Sequence, residues 1–179
     1  AHRTDAILAV GGGSVIDAAK VIDAMLVSGK SPGKLVGMLK VGKPMLPLFA
    51  APTTAGTGSE VTVAAVVTDP VRHVKSVVVD PKLVPAAAAL DPLLTRGMPT
   101  HITAATGMDA LTHAVESYIN RWPHAETAFH SVSAVRMIFA NLPRACANGE
   151  DLEAREAMLL ASFYAGLAFT KAYVGYVHA

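Results

Sequence analysis

Three consecutive glycines, residues 11–13, lie between a short apolar run and a helix-forming segment, and they constrain the fold more than any other feature of the chain. The run Ala6–Val10 is apolar throughout, as expected for a strand buried in a parallel sheet. Ser14–Met25 repeats apolar residues at the spacing of one helix face. This order of strand, glycine turn (residues 11–13) and helix favours an α/β layer with a mainly parallel sheet.

The rest of the chain divides into a strand-rich part and a helical part. Further strand-like runs are Met45–Ala50, Val61–Thr68, Val74–Val79 and Ala86–Leu90, with a hairpin turn predicted at Asp69–His73. Beyond Pro99 three long helical patterns follow: Thr100–Asn120, His124–Asn141 and Asp151–Phe169. We therefore predict the fold class α/β followed by all-α, with one domain at residues 1–97 and a second at residues 98–179.

The glycine turn is a candidate anion site. Glycines let the backbone approach a ligand closely, and the following helix N-terminus offers free N–H groups to a phosphate or pyrophosphate. The turn does not match the G-x-G-x-x-G fingerprint, and no acid stands where it would bind a ribose. The alternative is a tight turn in which Ser14 caps the helix.

Two charged residues follow in the same helix. We interpret Asp17 as complementing the helix dipole and Lys20 as solvated.

A second polar segment follows the strand-like run that ends at Ala50. Its four hydroxyl groups belong to Thr53, Thr54, Thr57 and Ser59. A loop of this kind either binds phosphate or sugar, or forms a turn that bonds to itself.

Asp109 and His113 are four residues apart in a predicted helix, so they share one face. A carboxylate and an imidazole at this spacing can bind one divalent metal, although the same spacing is common in polar stripes on surface helices. Ligands of this type without a thiolate suit Fe(II), Zn(II) or similar ions. Glu116 is either a hydrogen-bond partner of the His113 imidazole or, as we expect, part of a solvated helix face.

Composition excludes several classes of protein. The formal charge is +1 with Lys and Arg scattered, which excludes the basic patch of a nucleic-acid-binding protein. Every apolar run is shorter than the about 18 residues of a membrane span, so we expect no membrane association. The single cysteine, Cys146, is expected to be inert and favours a cytoplasmic location. His2 and His73 are interpreted as solvated, and His124 and His130 as structural. His101 lies two helical turns before Asp109, too far to share a metal with it.

Three motifs in a fixed order resemble the iron-containing (group III) alcohol dehydrogenase family. They are Gly-Gly-Gly-Ser-Val-Ile-Asp-Ala-Ala-Lys (11–20), Pro-Thr-Thr-Ala-Gly-Thr-Gly-Ser-Glu (52–60) and Gly-Met-Asp-Ala-Leu-Thr-His-Ala-Val-Glu (107–116). The segment 175–179 is similar to the start of that family's next metal-ligand segment. The resemblance implies a metal-dependent oxidoreductase that transfers a hydride between an alcohol, or an aldehyde or ketone, and NAD or NADP. It also implies a dinucleotide-binding α/β domain followed by a helical metal-binding domain.

The resemblance also implies roles for individual residues. The NAD(P) pyrophosphate would be held by Gly12, Gly13 and Ser14, and the cofactor ribose and phosphate by Thr53, Thr54 and Lys75. The metal ligands would be Asp109, His113 and His178, with Fe(II) as the expected metal and Zn(II) as the alternative. Phe169 would line the substrate pocket. The mechanism would need no further catalytic side chain.

The resemblance leaves alternatives open. Family members extend beyond this chain at both ends, so we expect an internal fragment that lacks part of each domain and a further histidine ligand. The full-length enzyme is expected to be a homo-oligomer. One alternative is a related enzyme of the glycerol dehydrogenase or dehydroquinate synthase type. Another is a catalytically incompetent fragment that binds a nucleotide but lacks a complete metal site.

Overall fold

The computed structural model of the chain describes residues 4–69, 73–120, 124–175 and 177–178, in which strands alternate with helices before three long helices follow. The strands are β1 (Ile7–Gly11), β2 (Gly37–Met38), β3 (Leu48–Pro52), β4 (Ala64–Asp69), β5 (Val74–Val79) and β6 (Ala87–Ala88). The α-helices are α1 (Gly13–Ser28), α2 (Pro32–Leu35), α3 (Thr100–Ile119), α4 (Ala125–Ala147) and α5 (Leu152–Ala172). Short 3-10 helices lie at Ser59–Val61, Pro81–Leu83 and Pro92–Thr95. The predicted fold class, α/β followed by all-α, is confirmed.

The first sheet is parallel and has the strand order β1-β3-β6. Its register aligns Gly11 at the end of β1 with Pro52 at the end of β3. Because the carboxyl ends of parallel strands meet at one edge of a sheet, the glycine turn and the loop after β3 begin side by side. This edge is where ligands bind in open α/β sheets.

The second sheet has the order β2-β5-β4 and combines parallel and antiparallel pairs. β2 is parallel to β5, whereas β4 and β5 form an antiparallel pair from Ala64↔Val79 to Asp69↔Val74. The antiparallel pair confirms the predicted hairpin, although residues 70–72 of its turn lie outside the described residues.

Several predicted boundaries were wrong, and two of them have a physical explanation. The run predicted as a strand from Val61 instead begins in a 3-10 helix, and β4 starts only at Ala64. The helix predicted to stop at Asn141 continues through Pro143 to Ala147. Proline removes the hydrogen bond to the carbonyl four residues earlier, at Phe139, and that residue is 69% exposed, so water can satisfy the carbonyl. Burial of Ala145 in the helical core favours the continuation.

The helical part is a three-helix arrangement in which α3, α4 and α5 all pack against one another. Alanines at their contacts let the helices approach closely. The buried members of this core include Ala110, Ala134, Ile138, Met158, Leu159 and Ala165. A separate core between α1 and the second sheet contains Val21, Leu35, Val78 and Leu83. None of the described helices combines the length and apolar character that crossing a membrane requires.

Candidate metal and cofactor site

The glycine turn leads directly into α1, whose first residue is Gly13. Gly12 is the N-cap residue in an extended conformation, with φ −72° and ψ 179°, and no side chain accepts a hydrogen bond from the first turn. The alternative in which Ser14 caps the helix is therefore wrong. Ser14 lies exposed in the first turn of α1, next to the half-buried Gly12 and the buried Gly13. This is the arrangement that an anion can use.

The loop after β3, which we call the threonine loop (residues 53–58), packs against the glycine turn. The Thr53 amide donates to the Gly11 carbonyl at 3.0 Å. A Cβ atom placed on Gly12 would lie 3.3 Å from the Thr54 side chain, and one on Gly13 only 2.6 Å from that of Thr57. Side chains at residues 12 and 13 would therefore fill the space between the turn and the loop. Glycine is required here for close approach rather than for an unusual φ angle.

The threonine loop is partly bonded to itself and partly to α1. The Ser59 amide donates to Thr57 Oγ1 at 3.3 Å, which matches the self-bonded turn considered for this segment. The Ser59 hydroxyl donates to Asp17 Oδ1 at 2.5 Å, and Asp17 Oδ2 accepts from the Val66 amide at 2.9 Å. Asp17 therefore ties α1 to the segment that follows the loop. Its role is a specific cross-link, in addition to any effect on the helix dipole.

Lys20 is buried, so its interpretation as a solvated residue was wrong. Its Nζ donates to the carbonyls of Thr62 and Ala64, both at 2.8 Å. Burial lowers the pKa of Lys20 to about 8 despite the nearby carboxylates of Asp17 and Glu60. Burial likewise raises the pKa of Glu60 to about 7, against the opposing effect of Lys20. A network of buried polar groups therefore lies beneath the threonine loop.

Lys75 occupies a different place from the other residues assigned to the cofactor. It lies exposed on β5, opposite Thr68 of β4. Among the described residues, no hydrogen bond or ion pair joins it to the glycine turn or the threonine loop.

Asp109, His113 and His178 converge, with one potential ligand atom from each lying within 4.8 Å of the other two. Asp109 Oδ1 is 3.9 Å from His113 Nε2 and 3.3 Å from His178 Nε2. Two ligands bound to one metal at about 2.1 Å lie about 3.0–3.5 Å apart, so small side-chain adjustments would bring all three to bonding distance. The helical spacing on α3 places the first two residues, and the turn after α5 brings the third.

Hydrogen bonds at the far side of each imidazole fix which nitrogen faces the site. His113 Nδ1 lies 3.3 Å from the Gly56 carbonyl, and His178 Nδ1 lies 2.6 Å from Glu116 Oε2. Because both partners are acceptors, a proton on each Nδ1 would satisfy these bonds and leave each Nε2 able to bind a metal beside Asp109, whose Oδ1 lies 3.3 Å from His178 Nε2. In that form, two imidazole lone pairs and a carboxylate oxygen converge, and a cation placed between them stabilises all three. The donor set therefore fits a divalent metal ion.

Electrostatics favour the protonation states that a metal requires. Burial lowers the pKa of His113, and the neighbouring His178 lowers it further, against the opposing effects of Asp109, the Gly56 carbonyl and Glu116. A lowered pKa keeps the imidazole neutral and able to bind a metal. Burial alone would raise the pKa of Glu116. Hydrogen bonds from His178 and from the amides of Gly175 and Val177 outweigh burial, so the pKa of Glu116 lies below its usual range.

Aromatic rings enclose the site on one side. The His113 ring stacks on that of His178, with centroids 4.4 Å apart and an interplanar angle of 16°. The Phe169 ring of α5 lies 4.5 Å from the His113 ring at an angle of 32°. Phe169 therefore forms an apolar wall directly beside the candidate metal ligands.

Sequence reasoning missed two contributors to the site. Glu116 is only 6% exposed, so its expected place on a solvated helix face was wrong, and its partner is His178 rather than His113. The second is the Gly56 carbonyl. Glu116 follows Asp109 by seven residues and so lies on the same helix face, a signal that could have identified it.

Of the other histidines, His73, His101 and His124 are exposed, His130 lies 3.7 Å from Glu126, and His2 lies outside the described residues.

Comparisons with known proteins agree along the whole chain. Residues 1–92 match the family model "Iron-containing alcohol dehydrogenase", and residues 103–179 match "Fe-containing alcohol dehydrogenase family, C-terminal". The NAD-dependent methanol dehydrogenase of Bacillus methanolicus is 45% identical over 177 residues, which are 99% of this chain and 46% of that protein. The chain thus spans about half the length of the curated relatives it matches.

Solved structures give the same result. An alcohol dehydrogenase from Oenococcus oeni superimposes with a TM-score of 0.94 at 41% identity, over 98% of this chain and 46% of that one. A sulfoacetaldehyde reductase from Bifidobacterium kashiwanohense in complex with NAD+ gives a TM-score of 0.84 at 39% identity, over 93% of this chain and 44% of that one.

Proposed function

The chain belongs to the iron-containing alcohol dehydrogenase family, and from this premise we propose that it carries the cofactor turn and the metal ligands of an NAD-dependent oxidoreductase. The reaction is the transfer of a hydride between an alcohol and the corresponding aldehyde or ketone. The observation that carries the proposal is the convergence of Asp109, His113 and His178 around one point. The NAD preference is supported by a relative named as NAD-dependent and by a solved relative in complex with NAD+.

The cofactor is assigned to the edge of the first sheet. Its pyrophosphate binds at the N-terminus of α1, where the absence of side chains on Gly12 and Gly13 lets the turn pack closely against the threonine loop. The Ser14 hydroxyl contributes a further donor from the exposed first turn. Thr53 and Thr54 bind the adjoining ribose and phosphate groups. Lys75 is assigned to the same cofactor from the second sheet.

The metal is assigned to the point where the Nε2 atoms of His113 and His178 meet Asp109. A divalent ion bound there, Fe(II) or Zn(II), supplies Lewis-acid polarisation of the substrate oxygen. Asp109 offsets part of the metal charge, while the two imidazoles hold their lone pairs towards it. Phe169 shields the His113 ring and restricts water on the side where the apolar part of an alcohol would lie.

The proposal divides the work between the two parts of the chain. Residues 1–97 bind the cofactor, and residues 98–179 bind the metal. The threonine loop lies at their junction, because Thr54 and Thr57 face the glycine turn and Gly56 bonds to His113. The residues that would hold the cofactor and those that would hold the metal therefore meet beside this loop.

Replacing a metal ligand tests the metal assignment. We expect Asp109→Asn and His113→Ala to lose bound metal and alcohol-dependent NAD reduction together, by at least about 10²-fold in activity, because each removes a direct ligand. Metal content is measured by mass spectrometry and activity by NADH absorbance. His101→Ala is the matched control, since His101 is exposed on the same helix. Full metal content and turnover in either ligand variant would overturn the assignment.

Replacing a glycine tests the cofactor assignment separately. Gly13→Val places a side chain where even a Cβ atom would lie 2.6 Å from Thr57. We expect NAD+ affinity, measured by calorimetry, to fall while bound metal is retained. Unchanged NAD+ affinity would contradict the proposed site. A wild-type chain that binds NAD+ but no metal would instead favour the nucleotide-binding fragment without a competent metal site.

A further inference from the structure

Glu116 is a buried carboxylate on α3 that touches none of the positions assigned to substrate or cofactor. It lies two helical turns beyond Asp109 and is only 6% exposed. Burying a carboxylate is costly unless hydrogen bonds compensate for the lost hydration. The partners of Glu116 therefore indicate why it is there.

The two oxygens of Glu116 accept hydrogen bonds from two consecutive residues of the turn after α5. Oε1 accepts from the Val177 amide at 2.7 Å, and Oε2 accepts from His178 Nδ1 at 2.6 Å. A Cβ atom on Gly175 would lie 3.0 Å from Oε1, so the turn closes tightly over the carboxylate. Glu116 thus fixes both the backbone and the imidazole of the segment that brings His178 to Asp109.

We propose that Glu116 is a positioning residue of the metal site, which holds His178 in the Nδ1–H tautomer and anchors Val177 and His178 to α3. This inference rests on the metal assignment made above. A metal-bound imidazole whose other nitrogen donates to a carboxylate is held in one orientation and binds the metal more strongly. Loss of such a partner weakens metal affinity by about 10–100-fold.

The geometry requires a carboxylate and not merely a polar side chain. The Val177 amide and His178 Nδ1–H are both donors, so both atoms of the Glu116 head group must be acceptors. Glutamine has the same shape, but one of its two terminal atoms is an NH2 donor. If its oxygen faces Val177, the NH2 group faces His178 and moves the imidazole proton to Nε2, where it blocks the metal. If its oxygen faces His178, the NH2 group opposes the Val177 amide and destabilises the turn.

The requirement for a carboxylate at residue 116 is tested by measuring Zn(II) binding to the chain in competition with a chromophoric chelator. We expect Glu116→Gln to weaken Zn(II) affinity by about 10–100-fold while the far-UV circular dichroism spectrum stays that of the wild type. Nitrogen-15 NMR of the metal-free chain, recorded at a pH at which the imidazole is neutral, reads the tautomer of His178, assigned by comparison with His178→Ala. We expect the wild type to show the Nδ1–H form and Glu116→Gln to lose it. Glu156→Gln, an exposed residue on α5, is the matched control and is expected to change neither measurement.

The outcomes separate this inference from the assignment beneath it. A wild-type chain that does not bind Zn(II) overturns the metal site and the inference together. Wild-type binding with equal affinity in Glu116→Gln overturns the inference alone. Weakened binding with an unchanged tautomer also overturns it, because the carboxylate would then act only on the fold of the turn. The inference is supported if Glu116→Gln weakens Zn(II) binding and changes the tautomer of His178. Glu116→Asp should then restore neither property, because its shorter side chain cannot reach both donors.

Discussion

At the scale of single residues, the chain places charged groups in its interior, and Lys20 is compensated there by specific partners. Lys20 has no exposed surface, and it donates to two carbonyls and to the Thr62 hydroxyl. Glu60 is 3% exposed and lies near this cation. Buried groups of this kind contribute little net stability as a pair, but removing one partner is costly because it leaves the other uncompensated.

Lys20→Met tests the compensation directly. Methionine fills a similar volume but removes the ammonium donor from the Thr62 and Ala64 carbonyls, at a cost of about 1–3 kcal/mol for each group left unsatisfied. Relief from burying the charge offsets part of this loss. We expect a net loss of about 2–4 kcal/mol in the free energy of unfolding, measured by urea denaturation. Lys34→Met, at an exposed position, is the control, and an unchanged midpoint for Lys20→Met would contradict the role of the network.

Glu60 gives stability a defined pH dependence. Its pKa is raised from 4.5 to about 7 in the folded chain, mainly by burial, so between these pH values the folded state holds a proton that the unfolded state has released. The stability contribution of this proton is complete below pH 4.5 and is lost as the pH rises towards 7.

Glu60→Gln should remove this dependence, because glutamine does not titrate. We expect the variant to gain stability relative to the wild type as the pH is raised across this window, by an amount on the order of 1–3 kcal/mol. Urea denaturation at several pH values measures the difference. The exposed Glu156→Gln should follow the wild-type curve. A constant difference between Glu60→Gln and the wild type at all pH values would refute the raised pKa.

Individual residues also show what the sequence could and could not predict. Asp109 and His113 could be paired from the sequence because four residues of helix place them together. The same holds for the glycine turn, whose neighbours are local. The environments of Lys20, Glu116 and the Gly56 carbonyl depend instead on partners 42, 62 and 57 residues away. Local periodicity carries no information on such contacts, so a buried lysine and a solvated one look alike in the sequence.

At the scale of elements, α5 and the threonine loop approach each other through glycines on both sides. Gly58 adopts a left-handed conformation with φ 61°, which favours glycine, and a Cβ atom on it would lie 2.8 Å from the Gly166 Cα. A Cβ atom on Gly166 would lie 2.6 Å from Val61 Cγ1 and 3.1 Å from the Gly58 carbonyl oxygen. Because α5 also carries Phe169, this close contact sets the position of the apolar wall relative to the metal ligands.

Gly166→Ala brings two effects into competition. Alanine favours the helix over glycine by about 1 kcal/mol, whereas overpacking costs about 1–3 kcal/mol. Part of the clash is with the backbone of Gly58, which cannot rotate away, so overpacking should win. We expect a net loss of about 1–2 kcal/mol in unfolding free energy together with weaker Zn(II) binding.

The matched control is Gly33→Ala in α2, where an added Cβ atom would meet nothing within 4 Å. Alanine at this position is expected to leave the unfolding free energy unchanged or to raise it, and to leave Zn(II) affinity as it is. A Gly166→Ala variant at least as stable as the wild type would show that α5 can move away without loss.

At the scale of the whole molecule, the metal ligands connect segments far apart in sequence. Asp109 and His113 lie on α3, and His178 lies beyond the end of α5. A ligand that binds only the folded state stabilises it by mass action, by about 2.7 kcal/mol when its concentration is 100 times Kd.

Metal binding should therefore raise the melting temperature of the chain. For about 180 residues we expect an increase of roughly 5–10 °C with Zn(II) at about 100 times Kd, since each kcal/mol shifts Tm by about 2–4 °C. Differential scanning fluorimetry measures the shift, and excess chelator should reverse it. His113→Ala provides the comparison. An equal shift in that variant would mean that the stabilising ion binds elsewhere.

The threonine loop has a consequence for how the chain tolerates changes in length. Its first residue is bonded to Gly11, its Gly56 carbonyl meets His113, and Gly58 abuts α5. The six residues of the loop thus make three fixed contacts. An insertion or deletion of a single residue would move at least one of these contacts out of reach. The exposed segment 42–44 makes no such contacts among the described hydrogen bonds and can absorb extra residues as ordinary surface loops do. Variation in length should therefore be confined to the surface, while this loop keeps a fixed number of residues.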